Sequence, residues 1–217
     1  MKIGKLIIIN IIILVILVGG GFAAYSYYNT KTNYISTDNA QIAGQQVTIA
    51  APASGKLMKW EGKVGDSFGK DQQIGSIFST STGVNGVEVP INLPTDGTIV
   101  QSNAVKDSFV AAGTPLAQVY DLKSLWVTAN IEETSIDDIA VNQDVDIYVD
   151  AFPNTTLKGK VETIGLATSG TFSLLPSSNS TGNYTKVTQV IPVKISIDDD
   201  KGLQIVPGMN VTVRIHK

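Results

Sequence analysis

A repeat in the middle of the chain constrains the fold more than any other feature of the sequence. Pro52-Ala-Ser-Gly55-Lys-Leu57, Val64-Gly-Asp66-Ser67-Phe68 and Ile74-Gly-Ser-Ile77 return as Pro94-Thr-Asp-Gly97-Thr-Ile99, Val105-Lys-Asp107-Ser108-Phe109 and Leu116-Ala-Gln-Val119. The offset is about 42 residues with one residue of slippage, the mark of two copies of one supersecondary unit. In each copy a Gly after turn residues opens a short strand with alternating apolar positions. A second turn and a second strand follow. Neither half has enough strands to bury a core alone. Laid together, two four-stranded halves make a flattened sandwich over residues 46–121.

The N-terminus carries a different signal. From Leu6 to Ala24 there is no charge, and Asn10 is the only strongly hydrogen-bonding side chain. As a helix, the run would be about 28 Å long at ~1.5 Å per residue, matching the hydrocarbon core of a bilayer. Lys2 and Lys5 precede it and the first acid is Asp38, so the positive-inside rule places the N-terminus in the cytoplasm. Tyr25, Tyr27 and Tyr28 stand where an interfacial aromatic belt belongs. The expected anchor therefore covers residues 1–28, with Leu6, Asn10, Val18, Gly19, Ala24, Tyr25 and Tyr27 as its marker positions. The alternative is a cleaved signal peptide, with Leu6 to Val18 as its apolar region and Gly21-Phe22-Ala23 as its cleavage site. The tyrosines and the continuation past the glycines favour the anchor. In either case the bulk of the chain is extracytoplasmic.

Composition removes whole classes of chemistry. There is no Cys and only one His, His216. Thiolate metal sites, thiol nucleophiles and two-histidine zinc centres are excluded, and so are most Ser-His mechanisms. The 16 basic residues against 19 acidic ones leave a net charge of -3, which argues against a nucleic-acid partner. Asp198-Asp199-Asp200 lacks the alternating oxygen spacing of a calcium loop and reads as a solvated turn. His216 reads as a surface end, and Trp60 and Trp126 as core or rim residues.

After Asp121 the texture changes to alternating strands: Leu125 to Ile131, Asp144 to Asp150, Gly159 to Ile164, Gln189 to Ile197 and Asn210 to Ile215. One apolar and one polar face, strand after strand, indicate a small antiparallel β-barrel over residues 122–217. Glu132 to Ala140 has room for one short helix, with Thr134 or Ser135 as N-cap. Residues 29–45 read as a linker and entry strand. The fold class is thus mainly β: a single N-terminal transmembrane helix, a split sandwich and a barrel.

Two resemblances attach to these residues. Val64-Gly-Asp-Ser-Phe-Gly-Lys-Asp-Gln-Gln-Ile resembles the V-G-D-x-V-x-x-G-x-x-L repeat of the lipoyl/biotinyl-carrier fold, also called a barrel-sandwich hybrid. In true carriers a Lys on the hairpin between the halves takes the prosthetic group. The corresponding Phe78 to Glu88 stretch contains no Lys, so no amide to lipoate or biotin can form there. The second resemblance is to the HlyD family of membrane fusion proteins, or periplasmic adaptors, in its EmrA-like branch. Tyr34-Ile-Ser-Thr-Asp-Asn-Ala-Gln-Ile-Ala-Gly44 is similar to the family's entry strand, and Asp121-Leu-Lys-Ser-Leu-Trp-Val-Thr-Ala129 to its barrel entry. Most specific is Phe172-Ser-Leu174-Leu175-Pro176 with Asn179-Ser-Thr-Gly-Asn183-Tyr184-Thr-Lys-Val187, which resembles F-S-L-L-P-x-x-N-A-T-G-N-W-x-K-V. Two departures stand out. Val190 replaces the family's Arg, and only residues 79–92 separate the lipoyl halves, too few for the long helical hairpin that reaches an outer-membrane channel. At ~1.5 Å per residue, two arms of that length reach only about 10 Å. That shortness implies a single-membrane envelope, or a pump that uses another part to reach outward.

The resemblance implies a non-enzymatic adaptor subunit of a multidrug efflux or secretion pump, without cofactor or metal. It would dock on the extracytoplasmic face of a multi-pass exporter, of the major facilitator type in preference to the ABC type, and would self-associate. The loop residues Phe172, Leu174, Leu175, Pro176, Asn179, Asn183 and Tyr184 are the candidate contacts for partner or substrate, with a plug for the barrel end as the alternative reading of Phe172 and Leu175. An envelope protein that binds wall polymers through its Ser/Thr/Asn-rich surface is the competing function.

Overall fold

The computed structural model describes residues 10–22, 25, 33–79, 86–172 and 188–217. Residues 10–22 are helical, as are Tyr25 and Asn33 singly. Among the described residues, no helix is long and apolar enough to cross a membrane. The expected span extends beyond this segment at both ends, and Leu6, Ala24 and Tyr27 lie outside the described residues.

The remainder is β. The strands are β1 (Tyr34–Ala43), β2 (Gln46–Ala50), β3 (Gly55–Trp60), β4 (Ser67–Phe68), β5 (Gln73–Ser79), β6 (Val87–Asn92), β7 (Gly97–Ser102), β8 (Phe109–Val110), β9 (Pro115–Tyr120), β10 (Trp126–Glu132), β11 (Asp144–Val149), β12 (Thr156–Ile164), β13 (Val190–Ser196) and β14 (Asn210–His216). The chain divides into two compact units, one of residues 42–126 and 203–209, the other of residues 1–41, 127–202 and 210–217.

The first unit is a sandwich of two four-stranded sheets, ordered β2-β9-β7-β4 and β6-β5-β3-β8. The repeats do not form one sheet each. The Val-x-Asp-Ser-Phe segment of each half crosses over: Ser67 and Phe68 pair with Thr98 and Gly97, while Phe109 and Val110 pair with Lys56 and Gly55. This exchange makes the halves interdependent. The shared core is Ile49, Leu57, Ile74, Ile77, Ile91, Leu93, Ile99, Leu116 and Val119, with Trp60 and Phe68 packed against it. Trp60 is held at its edge, with Nε1 donating to Gly62 O at 2.8 Å and to Ser102 Oγ at 3.0 Å. Gly55 and Gly97 open corresponding strands because backbones or side chains come close there. A Cβ on Gly55 would lie 2.2 Å from Phe78 O, and one on Gly97 would lie 2.4 Å from Val119 Cγ1. Residues 203–209 complete this unit, where Ile42 N–H donates to Met209 O and Gly208 N–H to Ile42 O.

The second unit is a closed six-stranded barrel, ordered β1-β10-β13-β12-β11-β14. The pairs β1/β14, β11/β12, β11/β14 and β12/β13 are antiparallel. Alternation sets the faces: Val145, Ile147 and Val149, Leu157 and Val161, Val193 and Ile195, Val211, Val213 and Ile215 are buried, and their neighbours point out. The entry strand β1 is a full barrel strand, paired with β14 from Tyr34↔His216 to Gln41↔Asn210 across one bulge. Closure leaves this sheet without an exposed edge.

Between β10 and β11 the short helix is a 3₁₀ helix, Glu133–Asp138. Its N-cap is Glu132 with no side-chain cap bond, not Thr134 or Ser135. Gln189 O accepts the Glu133 N–H at 3.0 Å, so the strand-end backbone does what a cap side chain would do. In the acidic turn, Asp199 accepts from Lys201 N–H and Asp200 from Gly202 N–H, both at 2.9 Å.

Candidate functional site

Three features bear on function: the apolar helix, the long loop before β13, and the outer face of the barrel. On the helix, Asn10, Val18 and Gly19 are exposed, as is Tyr25 beyond it. The aliphatic side chains from Ile11 to Val18 are all exposed, with no neighbouring element covering them. Gly19, Gly20 and Gly21 have open space around them.

The loop's stem is visible. Phe172 ends a 3₁₀ turn, Ser169–Phe172, while Leu174, Leu175, Pro176, Asn179, Asn183 and Tyr184 lie outside the described residues. The turn is pinned on the β10 side, where Ser169 Oγ donates to Asn130 Oδ1 at 3.2 Å. Asn130 Nδ2 in turn donates to Asn39 Oδ1 at 3.1 Å. Leu166, at the same stem, is fully exposed. An apolar residue held out on a pinned stem suits contact with another molecule.

The barrel's outer face carries a polar network that sequence reading did not assemble. The Asp146 carboxylate accepts from Lys158 Nζ at Oδ1, and His216 Nε2 lies 3.0 Å from Oδ2. Burial pushes this carboxyl up; the hydrogen bonds from Lys158 and His216 outweigh that and hold it below the usual carboxylate range. The Lys158 ammonium is correspondingly raised by its hydrogen bond to Asp146. Beside it, Lys160 Nζ donates to Asp144 at 2.9 Å, which lowers the Asp144 carboxyl. His216 also meets Tyr34 edge-on, with centroids 4.8 Å apart, and Arg214 lies over the rings of both Tyr34 and Tyr148, at 5.5 and 5.6 Å. His216 is therefore not a loose surface end but a half-buried member of a four-strand network. The alternation in Asp-Val-Asp-Ile-Tyr-Val and Val-Thr-Val-Arg-Ile-His placed these residues on outward faces. Only the register, Asp146↔Lys158 and Asp146↔Arg214, brings them together.

Next to this network a cleft of about 670 Å³ is lined by Tyr34, Ser36, Asp38, Glu132, Ser135 and Lys217, among others. Lys217 Nζ is engaged by Asp138 at 2.6 Å. Among the described residues there is no group of three or more His, Asp or Glu able to hold a metal ion.

A lipoyl-like sandwich and a closed six-stranded barrel on one chain define a barrel-sandwich hybrid joined to a β-barrel. Residues 45–121 match the model of the YhbJ barrel-sandwich hybrid domain, and residues 124–216 that of the AAEA-like beta-barrel domain. The candidate efflux system component YhbJ of Bacillus subtilis (strain 168) is 44% identical over 98% of this chain and 93% of its own length. The chain belongs to this EmrA-like membrane fusion protein family, in a short form without the helical hairpin. The colistin resistance protein EmrA of Acinetobacter baumannii is 39% identical over 56% of this chain, which spans only 35% of that protein. In fold the chain is similar to the membrane fusion protein Spr0693 of Streptococcus pneumoniae R6, with a TM-score of 0.57 at 13% identity, covering 84% of this chain and 97% of that one.

Proposed function

We propose that this chain is a non-enzymatic, membrane-anchored adaptor subunit of a multidrug efflux or secretion pump. Its N-terminal helix crosses the cell membrane once with the N-terminus in the cytoplasm. Its β units dock on the extracytoplasmic face of a multi-pass exporter, of the major facilitator type, and the adaptor acts as a homo-oligomer. The carrying observation is the near full-length match to a candidate efflux system component. The repeat without a hairpin lysine supports it, because the lipoyl-like fold is kept while the chemistry of a carrier is lost. The charge-free run from Leu6 to Ala24 and the exposed aliphatic face of residues 11–18 support the tether.

The loop from Phe172 to Tyr184 is the proposed contact for exporter or substrate, with Leu166 at its stem. The test is affinity purification of the full chain from solubilised membranes. Recovery of a multi-pass exporter, reduced when Leu174 and Leu175 are changed to Ser, supports the reading. Recovery of the chain alone in every detergent tried overturns it.

A further inference from the structure

Arg214 is the only arginine in the sequence, and it is placed unlike the other cations of the barrel's outer face. Lys158 and His216 are engaged by Asp146, Lys160 by Asp144 and Lys217 by Asp138. Arg214 stands directly across the ladder from Asp146, whose two oxygens meet Lys158 and His216. Among the described residues no carboxylate accepts from the guanidinium. Its contacts there are the faces of Tyr34 and Tyr148. The guanidinium carbon lies 5.5 Å from the Tyr34 ring centre and 5.6 Å from that of Tyr148, and among the described residues its N–H donors have no carboxylate acceptor. The hydroxyls of Tyr34 and Tyr148 likewise make no hydrogen bond to any described residue. A half-buried guanidinium with open N–H donors suits a phosphate oxygen pair.

Location selects the source of that phosphate. Tyr34, one wall of the site, is the first strand residue after the apolar segment, about ten residues beyond Ala24. A linker of that length reaches at most roughly 35 Å, so the site stays close to the membrane surface if the helix is inserted. A single bidentate contact is weak by itself; a tether raises the effective concentration of the headgroup into the range where such a contact fills.

We propose that Arg214, framed by Tyr34 and Tyr148, binds the phosphodiester of an anionic phospholipid headgroup and sets the barrel's orientation on the membrane. This rests on the anchored reading above. Its failure is separable, because exporter recovery is scored independently of lipid binding.

The sole arginine makes the test direct. Full chain labelled with ¹⁵N-arginine, in a phosphate-free maltoside detergent, gives one arginine Nε–H resonance. It is titrated with dihexanoyl phosphatidylglycerol, dihexanoyl phosphatidylcholine and inorganic phosphate in separate arms. The expected result is a saturable shift with phosphatidylglycerol at a midpoint at least about tenfold below those of the other two. Phosphatidylcholine acting at the same midpoint overturns the proposal, since the anionic charge is then not read. Inorganic phosphate acting at the same midpoint also overturns it, since the site is then a general anion site. No shift in any arm overturns it too. Native mass spectrometry of the folded chain supplies the second readout. Arg214→Gln and Tyr148→Leu retain fewer phosphatidylglycerol molecules than the parent chain if the proposal holds, and the same number if it does not.

Discussion

Gly159 offers the sharpest physical test of the barrel. It sits on β12, where β12 passes between β11 and β13. A Cβ built there lies 1.9 Å from Ser196 O and 3.0 Å from Ile147 Cδ1. The first contact is with backbone, so no rotamer change relieves it. Restoring an ordinary separation moves Ser196 by more than 1 Å, roughly the gap to a tolerable contact. That shift strains the Lys160 N–H to Ser196 Oγ bond of 3.2 Å and the Asp198 N–H to Lys158 O bond of 3.0 Å. Overpacking costs about 1–3 kcal/mol, and each weakened hydrogen bond adds up to about 1 kcal/mol. Against this, Gly→Ala gains about 0.4–1 kcal/mol by restricting the unfolded chain. The contact wins, and Gly159→Ala is expected to lose about 2–3 kcal/mol. For a unit of this size that lowers Tm by roughly 10–20 °C. Differential scanning calorimetry of the full chain measures it. Gly69→Ala, whose Cβ meets nothing closer than 3.7 Å, is the control and keeps or slightly raises Tm. An unchanged or raised Tm in Gly159→Ala would refute the reasoning.

Two further predictions follow from individual side chains. Asp146 is held below its ordinary value of 3.8, so its contribution is present near neutral pH and is lost as pH falls through its folded-state value. Asp146→Asn therefore lowers Tm at pH 7, and the gap from the parent chain closes as the pH falls below the ordinary carboxylate value of 3.8; a gap independent of pH contradicts this. Ser76 Oγ is buried with no hydrogen-bond partner among the described residues, so Ser76→Ala removes an unsatisfied hydroxyl and leaves stability equal or raised by up to about 1 kcal/mol in urea melts. A loss of stability on this substitution contradicts the reasoning.

The sequence reading reached the sandwich because its periodic signals are local. Gly55 and Gly97 each begin a strand, and the apolar positions that follow, Leu57 and Ile99, are core residues. What it did not reach was the exchange of Phe68 and Phe109 between halves, since either pairing buries the same alternation. The barrel strands were legible by alternation, and their order was not. β1 closes the barrel with β14, a pairing between Tyr34 and His216 that no local pattern encodes. The same long-range register sets the surroundings of His216 and Arg214, which no local pattern shows. The cap of the 3₁₀ helix was missed because a strand-end carbonyl, Gln189 O, replaced the side chain that local rules expect. The loop from Leu174 to Tyr184 rests on the sequence resemblance alone, as those residues lie outside the described structure.

The central claim is that an inert pair of β units works by being held beside an exporter. The most direct measurement is intracellular accumulation of a panel of fluorescent drugs and dyes in cells lacking this chain. The complements are the full chain, and residues 29–217 exported behind a cleavable leader. The account predicts raised accumulation of at least one compound without the chain, rescue by the tethered form, and little rescue by the untethered form at equal abundance. Unchanged accumulation across the panel, or equal rescue by the untethered form, would contradict it.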